Sequence, residues 1–217
     1  MATGVGGTAR GARAGPGGGS GGGAGGAEVT RSAHPHPACF HEAVRETNDS
    51  QESSGPRVRV RVAEDLPACV TVLRAVHEQD RYPTRWPADP AGWLAHAADD
   101  TSWVAHRDGR VLGHVLLVRP DGSDVAPGLV PDAATAVVSR LFVDPAARGQ
   151  RIGALLLDAA AREARRRGAR AVLDVVTTDT AAIALYERLG WEFLAEGRQE
   201  WGPADLVDVR CYAAPPA

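Results

Sequence analysis

Arg148-Gly149-Gln150-Arg151-Ile152-Gly153-Ala154 follows a short apolar run, Leu141-Phe142-Val143, and the strand-stopping pair Asp144-Pro145. Beyond it Ile152, Leu155, Leu156, Ala159, Ala160 and Ala164 recur at helical spacing, so a strand feeds a turn that opens a helix. The first turn of a helix leaves backbone N–H groups without intrahelical acceptors and carries the positive end of the dipole, which draws in phosphate oxygens. Gly149 and Gly153 allow close approach, and Arg148 and Arg151 add charge and forked donors suited to phosphate. The turn reads as a cradle for a pyrophosphate. A tight β-to-α connection with solvated arginines is the alternative. The phosphate loop of nucleotide hydrolases is excluded, because no Gly-Lys-Ser/Thr follows.

Downstream, a valine-rich strand at 171–176 leads to a helix capped by Asp179 or Thr180 and ended by Gly190. That helix carries Tyr186 within Ala182-Ile183-Ala184-Leu185-Tyr186-Glu187-Arg188-Leu189-Gly190-Trp191. Tyr186 is a candidate acid, and a tyrosine packed against the sheet with a satisfied hydroxyl is the plainer reading.

The two stretches together resemble the GNAT superfamily of acetyl-CoA-dependent N-acetyltransferases. Residues 148–153 match its Gln/Arg-x-x-Gly-x-Gly/Ala signature, with Arg151 where the first signature glycine usually sits, and Leu185-Tyr186-Glu187-Arg188-Leu189-Gly190 matches its tyrosine segment. The resemblance runs from about residue 58 to residue 212 and is strongest from 139 to 191. It implies an α/β (α+β) fold with a mixed, strongly twisted sheet of about six to seven strands and about four helices. Acetyl-CoA is the implied cosubstrate, with no metal. Its pantetheine arm would lie between the strands at 141–143 and 171–176, beside the backbone of Leu141, Phe142 and Val143. Its pyrophosphate would meet Arg148, Gly149, Gln150, Arg151, Ile152, Gly153 and Ala154. Asp179 stands where the family often has an asparagine that contacts the pantetheine.

The implied chemistry is direct attack of a primary amine on the thioester. Tyr186 would protonate the leaving thiolate, and a backbone N–H near Val143 would donate to the thioester oxygen. Asp144, Glu187, His114 and an ordered water chain stay open as the base. A catalytically silent acyl-CoA-binding module is the alternative from another class, and a larger acyl group is a third. The acceptor is expected to be a small-molecule or peptide amine, and a homodimer through the late strands is an expectation of the resemblance.

Composition bounds the rest. Of the 25 glycines, 13 lie in the first 26 positions, and residues 1–56 hold no sustained apolar period, so this leader cannot build a core. Residues 57–217, about 160 of them, suit one domain. His34, His36, Cys39 and His41 in the leader are candidate zinc ligands, but Pro35, Pro37 and the lack of a second ligand pair argue against a site. The leader has no apolar core of a secretory signal, and no stretch approaches the ~20 apolar residues of a membrane span. A soluble, cytoplasmic protein is expected, with no membrane partner. Met1 is the only methionine, so a shorter natural product would need a valine-type start, for instance near Val58; a mis-assigned start is one account of the leader.

All 24 basic residues are arginine, yet 27 acidic residues leave a formal charge of −3, which speaks against a broad basic surface and against nucleic acid. Arg162, Arg165, Arg166 and Arg167 read as a solvated helix face. Cys39, Cys69 and Cys211 show no metal spacing and are odd in number, as fits reduced thiols.

Ahead of the cradle, Val58, Val60 and Val62 alternate with arginines as a half-buried strand. Glu64 or Asp65 opens a helix bearing Leu66, Cys69, Val70, Leu73, Val76 and His77, and 89–96 reads as a shorter one. Between them Tyr82 and Trp86 lie on a proline-punctuated loop which, with the loop after Arg119, is where acceptor specificity is expected. Residues 101–106 and 111–118 form a hairpin about Asp108-Gly109. Strands follow at 136–143, 191–194 and 206–212.

Overall fold

The computed structural model describes residues 55–95, 97, 100–200 and 206–216. The leader and its histidine cluster lie outside the described residues up to residue 54, as does His96. Elements run β1 (Arg57–Val60), α1 (Leu66–Asp80), α2 (Pro90–Leu94), β2 (Thr101–Arg107), β3 (Arg110–Val118), β4 (Thr135–Val143), α3 (Ile152–Arg166), β5 (Arg170–Val176), α4 (Thr180–Arg188), β6 (Glu192–Glu200) and β7 (Leu206–Ala213). One seven-stranded sheet has the order β1-β2-β3-β4-β5-β7-β6. Every pairing is antiparallel except β4 with β5. This is the mixed sheet with four helices that the resemblance implies.

Alternation along the strands sends side chains to two layers. Ala105, Leu112, Val138, Leu141, Val143 and Leu173 pack on α3 and α4. Val104, Val111 and Phe142 face the other way, onto α1 and α2, and Val137, Val172 and Val209 meet the turn Ala126–Leu129. The buried stripe of α3 is Ile152, Leu156, Leu157, Ala159, Ala160, Ala161 and Ala164; its alanines let the helix lie close to the sheet. Gly113 on β3 leaves room for this approach: an added Cβ would stand 3.1 Å from Leu156 Cδ1 of the helix and 2.8 Å from the Phe142 carbonyl oxygen of β4.

Two elements depart from expectation. β1 is an edge strand on which Val58 is half-buried but Val60 is 56% exposed, because only β2 flanks it. β6 runs on to Glu200 instead of ending at Leu194. Its polar second half is the outer edge of the sheet, held to β7 by the ladder and by cross-strand pairs Arg198–Asp208 and Arg210–Glu196. Apolar periodicity has nothing to report there.

A bulge in β4 shapes the centre. Leu116 pairs with Ser139 and His114 with Phe142, so β4 spends one residue more than β3. Arg140 takes it up with φ +50°. The His114 ring donates through Nδ1 to the Arg140 carbonyl oxygen at 3.0 Å and stacks on Phe142 at 5.2 Å, which fixes the bulge in place. Among the described residues no helix is long and apolar enough to cross a membrane.

Candidate active site

β4 and β5 pair only at Thr135↔Arg170, Ala136↔Ala171 and Val137↔Val172. Past that point β4 runs to Val143 against β3, and β5 runs to Val176 against β7. The two central strands therefore part, and the cleft between them opens toward the start of α3.

The connection from β4 to α3 is built by local rules. Asp144 accepts from Ala146 N–H at 2.9 Å and caps the turn Pro145–Ala147. Arg151 is the N-cap of α3 with φ +61°, and the helix ladder begins with Leu155 N–H to Arg151 O at 3.1 Å. The N–H groups of Ile152, Gly153 and Ala154 precede that first bond and lie outside the ladder. The left-handed backbone at 151 explains why a glycine suits this position in the family signature. Arginine keeps the same turn at a conformational cost of about 1 to 2 kcal/mol.

The two glycines of the turn serve different ends. Gly149, at φ +78°, has nothing within 4 Å of an added Cβ, so its requirement is backbone conformation. A Cβ on Gly153 would stand 3.1 Å from Leu185 Cδ2, so this glycine lets α3 approach α4. Neither observation conflicts with the close approach to a pyrophosphate expected of both.

The side chains of the turn are tethered. Arg148 pairs with Asp80, the last residue of α1. Gln150 Oε1 accepts from Arg107 Nη1 at 2.8 Å. Arg151 is exposed and has no ion-pair partner among the described residues. Of the two arginines expected to meet phosphate, one is shared with α1 and the other is uncommitted. Leu141, Phe142 and Val143 are buried, the first and third toward α3 and Phe142 toward α1.

From the far side of the cleft α4 brings Asp179 and Tyr186. Asp179 caps the helix through Ala182 N–H at 2.9 Å; burial raises its pKa against the pull of that bond. Tyr186 is fully buried beside Trp191 and Tyr212, with ring centroids 5.8 and 5.6 Å away. Its hydroxyl has no hydrogen-bond partner among the described residues. Burial first, then the Asp179 carboxylate and the Tyr82 phenol, hold Tyr186 well above the usual phenol range. The alternative reading of Tyr186, a packed tyrosine with a satisfied hydroxyl, finds no partner for that hydroxyl among the described residues.

The three side-chain candidates for the base are engaged. Asp144 accepts from Arg110 Nη2 at 2.6 Å as well as from its cap. Glu187 accepts from the Tyr212 hydroxyl at 3.2 Å. His114 holds the bulge. Sequence reading missed Asp174, a fully buried carboxylate in the middle of β5. It accepts from Val125 N–H at 2.8 Å and Ala126 N–H at 3.0 Å, tying the turn Ala126–Leu129 to the sheet, and burial raises its pKa. Cys211 hydrogen-bonds to it and is itself pushed far up by burial. An aspartate inside Ala171-Val172-Leu173-Asp174-Val175-Val176 was the available signal. Among the described residues no group of histidine, cysteine and carboxylate side chains is placed to hold a metal ion.

The profile of the acetyltransferase (GNAT) family matches residues 64–191. The chain belongs to that family. Similar solved structures include the ribosomal-protein-S18-alanine N-acetyltransferase of Escherichia coli, with 21% identity, TM-score 0.55, and coverage of 74% of this chain and 93% of that one. The ribosomal-protein-alanine N-acetyltransferase of Brucella melitensis has 23% identity, TM-score 0.56, and coverage of 72% and 98%. The yncA protein of Salmonella typhimurium, solved with its cofactor acetyl-CoA, has 21% identity, TM-score 0.57, and coverage of 74% and 93%. At these identities the likeness is one of fold. No curated protein matches the chain.

Proposed function

We propose that this acetyltransferase moves the acetyl group of acetyl-CoA to a primary amine by direct attack on the thioester. The observation that carries the reading is the parting of β4 from β5 after Val137↔Val172, at the end of which α3 begins with three N–H groups outside its ladder. A pantetheine arm fits between two strands whose edges no longer meet. A pyrophosphate fits the start of α3, where Arg151 supplies charge and Arg148 supplies more if it leaves Asp80.

In the reaction the amine nitrogen bonds to the acetyl carbon, the carbon–sulfur bond breaks, the nitrogen loses a proton and the sulfur gains one. A backbone N–H near Val143 stabilises the oxygen as charge develops on it. Tyr186 serves the sulfur. A phenol held above pKa 10 gives its proton outright to a thiolate of pKa near 8.5 only at a cost of at least about 2 kcal/mol. Its first contribution is therefore a hydrogen bond to the developing thiolate, with the proton following as the product leaves. The amine is the harder problem, since a group with pKa near 10.4 is neutral to about 0.04% at pH 7, a deficit of roughly 4.6 kcal/mol. Loss of its proton to water within the cleft suits a site whose own carboxylates are already engaged. Asp179, bound to Ala182 N–H, positions α4.

The test is release of the CoA thiol by the full chain across a panel of amines. Amine-dependent release supports the reading; acetyl-CoA binding with no release for any amine supports the silent module in its place.

A further inference from the structure

On the α1 and α2 face of the sheet, two hydrogen-bond donors are buried without an acceptor among the described residues: the Tyr82 hydroxyl and Nε of Arg140. Both side chains touch Trp93. The Tyr82 ring meets it edge-on at 6.2 Å, and the Arg140 guanidinium lies 4.8 Å over it. The two groups also sense one another electrostatically. One cluster therefore joins the loop after α1, the short helix α2 and the bulge of β4.

Arg140 is costly to keep. Its backbone is left-handed, its guanidinium is largely desolvated, and no carboxylate of the described residues lies within ion-pair distance. The remaining protein contact, Nη1 to Ala95 O at 3.4 Å, is long for a hydrogen bond. The nearby charges are otherwise occupied. Asp100 accepts from Ala97 N–H at 3.1 Å, and Arg61 donates to Ser102 Oγ at 2.8 Å and Leu94 O at 3.2 Å. Strained backbone and a half-buried guanidinium whose Nε has no partner among the described residues persist where a ligand completes them. Arg140 also immediately precedes Leu141 on the strand that borders the cleft, so a group it holds is next to the reacting end of a bound acetyl donor.

We infer that Tyr82 and Arg140 form a receptor for the carboxylate of the acceptor, so that the amine acetylated is that of a free amino acid and not a protein N-terminus or a simple alkylamine. This rests on the N-acetyltransferase reading above. Arg140 and Tyr82 are specificity residues here. Trp93, half-buried over both, is the side chain that the carboxylate displaces as it enters. A guanidinium offers a carboxylate the forked, charge-assisted bonds that a neutral amine cannot use, and an acceptor lacking the carboxylate leaves both donors unsatisfied.

The experiment compares, at saturating acetyl-CoA, kcat/KM of the full chain for the twenty free amino acids, the matching amines without a carboxyl group, and tripeptide amides with the same first residue. The expected result is a preference of tenfold or more for the best amino acid over both of its counterparts. Arg140→Met, which keeps the contact with Trp93, brings that ratio to within about threefold of one; Arg140→Lys restores part of it, and Tyr82→Phe lowers it several-fold. A thermal shift with acetyl-CoA equal to that of the wild type shows that each variant is folded with its donor site intact. A wild type that favours the amine or the peptide amide, or an Arg140→Met protein that keeps the preference, overturns the inference. So does a wild type that is stabilised by acetyl-CoA yet acetylates no amino acid, and that result leaves the donor site standing. A wild type that acetyl-CoA does not stabilise refutes the N-acetyltransferase reading itself, and this inference falls with it.

Discussion

Replacing Tyr186 by phenylalanine should raise stability and lower turnover at once. The Tyr186 hydroxyl is fully enclosed and has no acceptor among the described residues; a buried polar group left unpaired costs about 1 to 3 kcal/mol. Phenylalanine keeps the ring contacts with Trp191 and Tyr212 at 5.8 and 5.6 Å and removes only the orphaned atom. Taking the low end, a gain of about 1 kcal/mol corresponds to roughly 2 to 4 °C in Tm for a domain of this size. The same atom is the donor proposed for the developing thiolate, so kcat should fall at least about fivefold, with acetyl-CoA affinity changed by less than about threefold. Calorimetry of the full chain without ligand and a thiol-release assay read the two effects separately. Because Tyr186 is held well above the usual phenol range, its ionisation should not limit the wild-type rate below about pH 10. A variant with lower Tm and unchanged kcat would refute the reasoning, since the hydroxyl would then have a structural partner and no part in the chemistry.

Three further substitutions follow from the same geometry. Arg151→Gly relieves the left-handed backbone, worth about 1 to 2 kcal/mol, and incurs the backbone entropy of glycine, about 0.5 to 1 kcal/mol; the unliganded protein should gain roughly 0.5 to 1 kcal/mol in urea unfolding while acetyl-CoA binds more weakly, and a destabilised variant contradicts this. Asp80→Asn releases Arg148 and should tighten acetyl-CoA binding several-fold by calorimetry at a stability cost under about 1 kcal/mol, whereas weaker binding would mean that Asp80 holds Arg148 in its working position. Burial pushes the Asp124 carboxyl up to about 6, with Asp121 and Asp174 adding to it. A raised carboxylate pKa disfavours the ionised form in the fold, so the contribution of this group to stability is fully present below about pH 4 and is lost as pH rises from about 4 to about 6. Asp124→Asn should remove that slope and gain about 1 to 2 kcal/mol at pH 7, after allowance for partial exposure; parallel stability curves for the two proteins from pH 4 to 7 would contradict it.

Strands and helices facing the core were legible in the sequence because their apolar spacing is forced by burial, as at Ile152, Leu156 and Ala160, and their ends were legible where a cap is local, as at Asp179 and Gly190. The second half of β6 was not, because an edge strand held by charge pairs carries no apolar period. The cradle turn could be placed but not its tethers: that Arg148 meets Asp80 and Gln150 meets Arg107 depends on how α1 and β2 end in space, across 68 and 43 residues of chain. The bulge at Arg140 was equally hidden, since its cause is a His114 ring on the neighbouring strand. Asp174 left a trace, a lone carboxylate in an apolar strand, whose meaning needed the turn Ala126–Leu129 folded over it.

The most direct test of the central claim is thermal unfolding of the full chain with and without acetyl-CoA. If the parted strands and the start of α3 hold the cosubstrate, ligand at one hundred times its Kd should stabilise the fold by ~2.7 kcal/mol, or roughly 5 to 10 °C. No shift at saturating acetyl-CoA would mean that Arg151 and the Arg148–Asp80 pair have closed the cradle, and the account would be wrong at its centre.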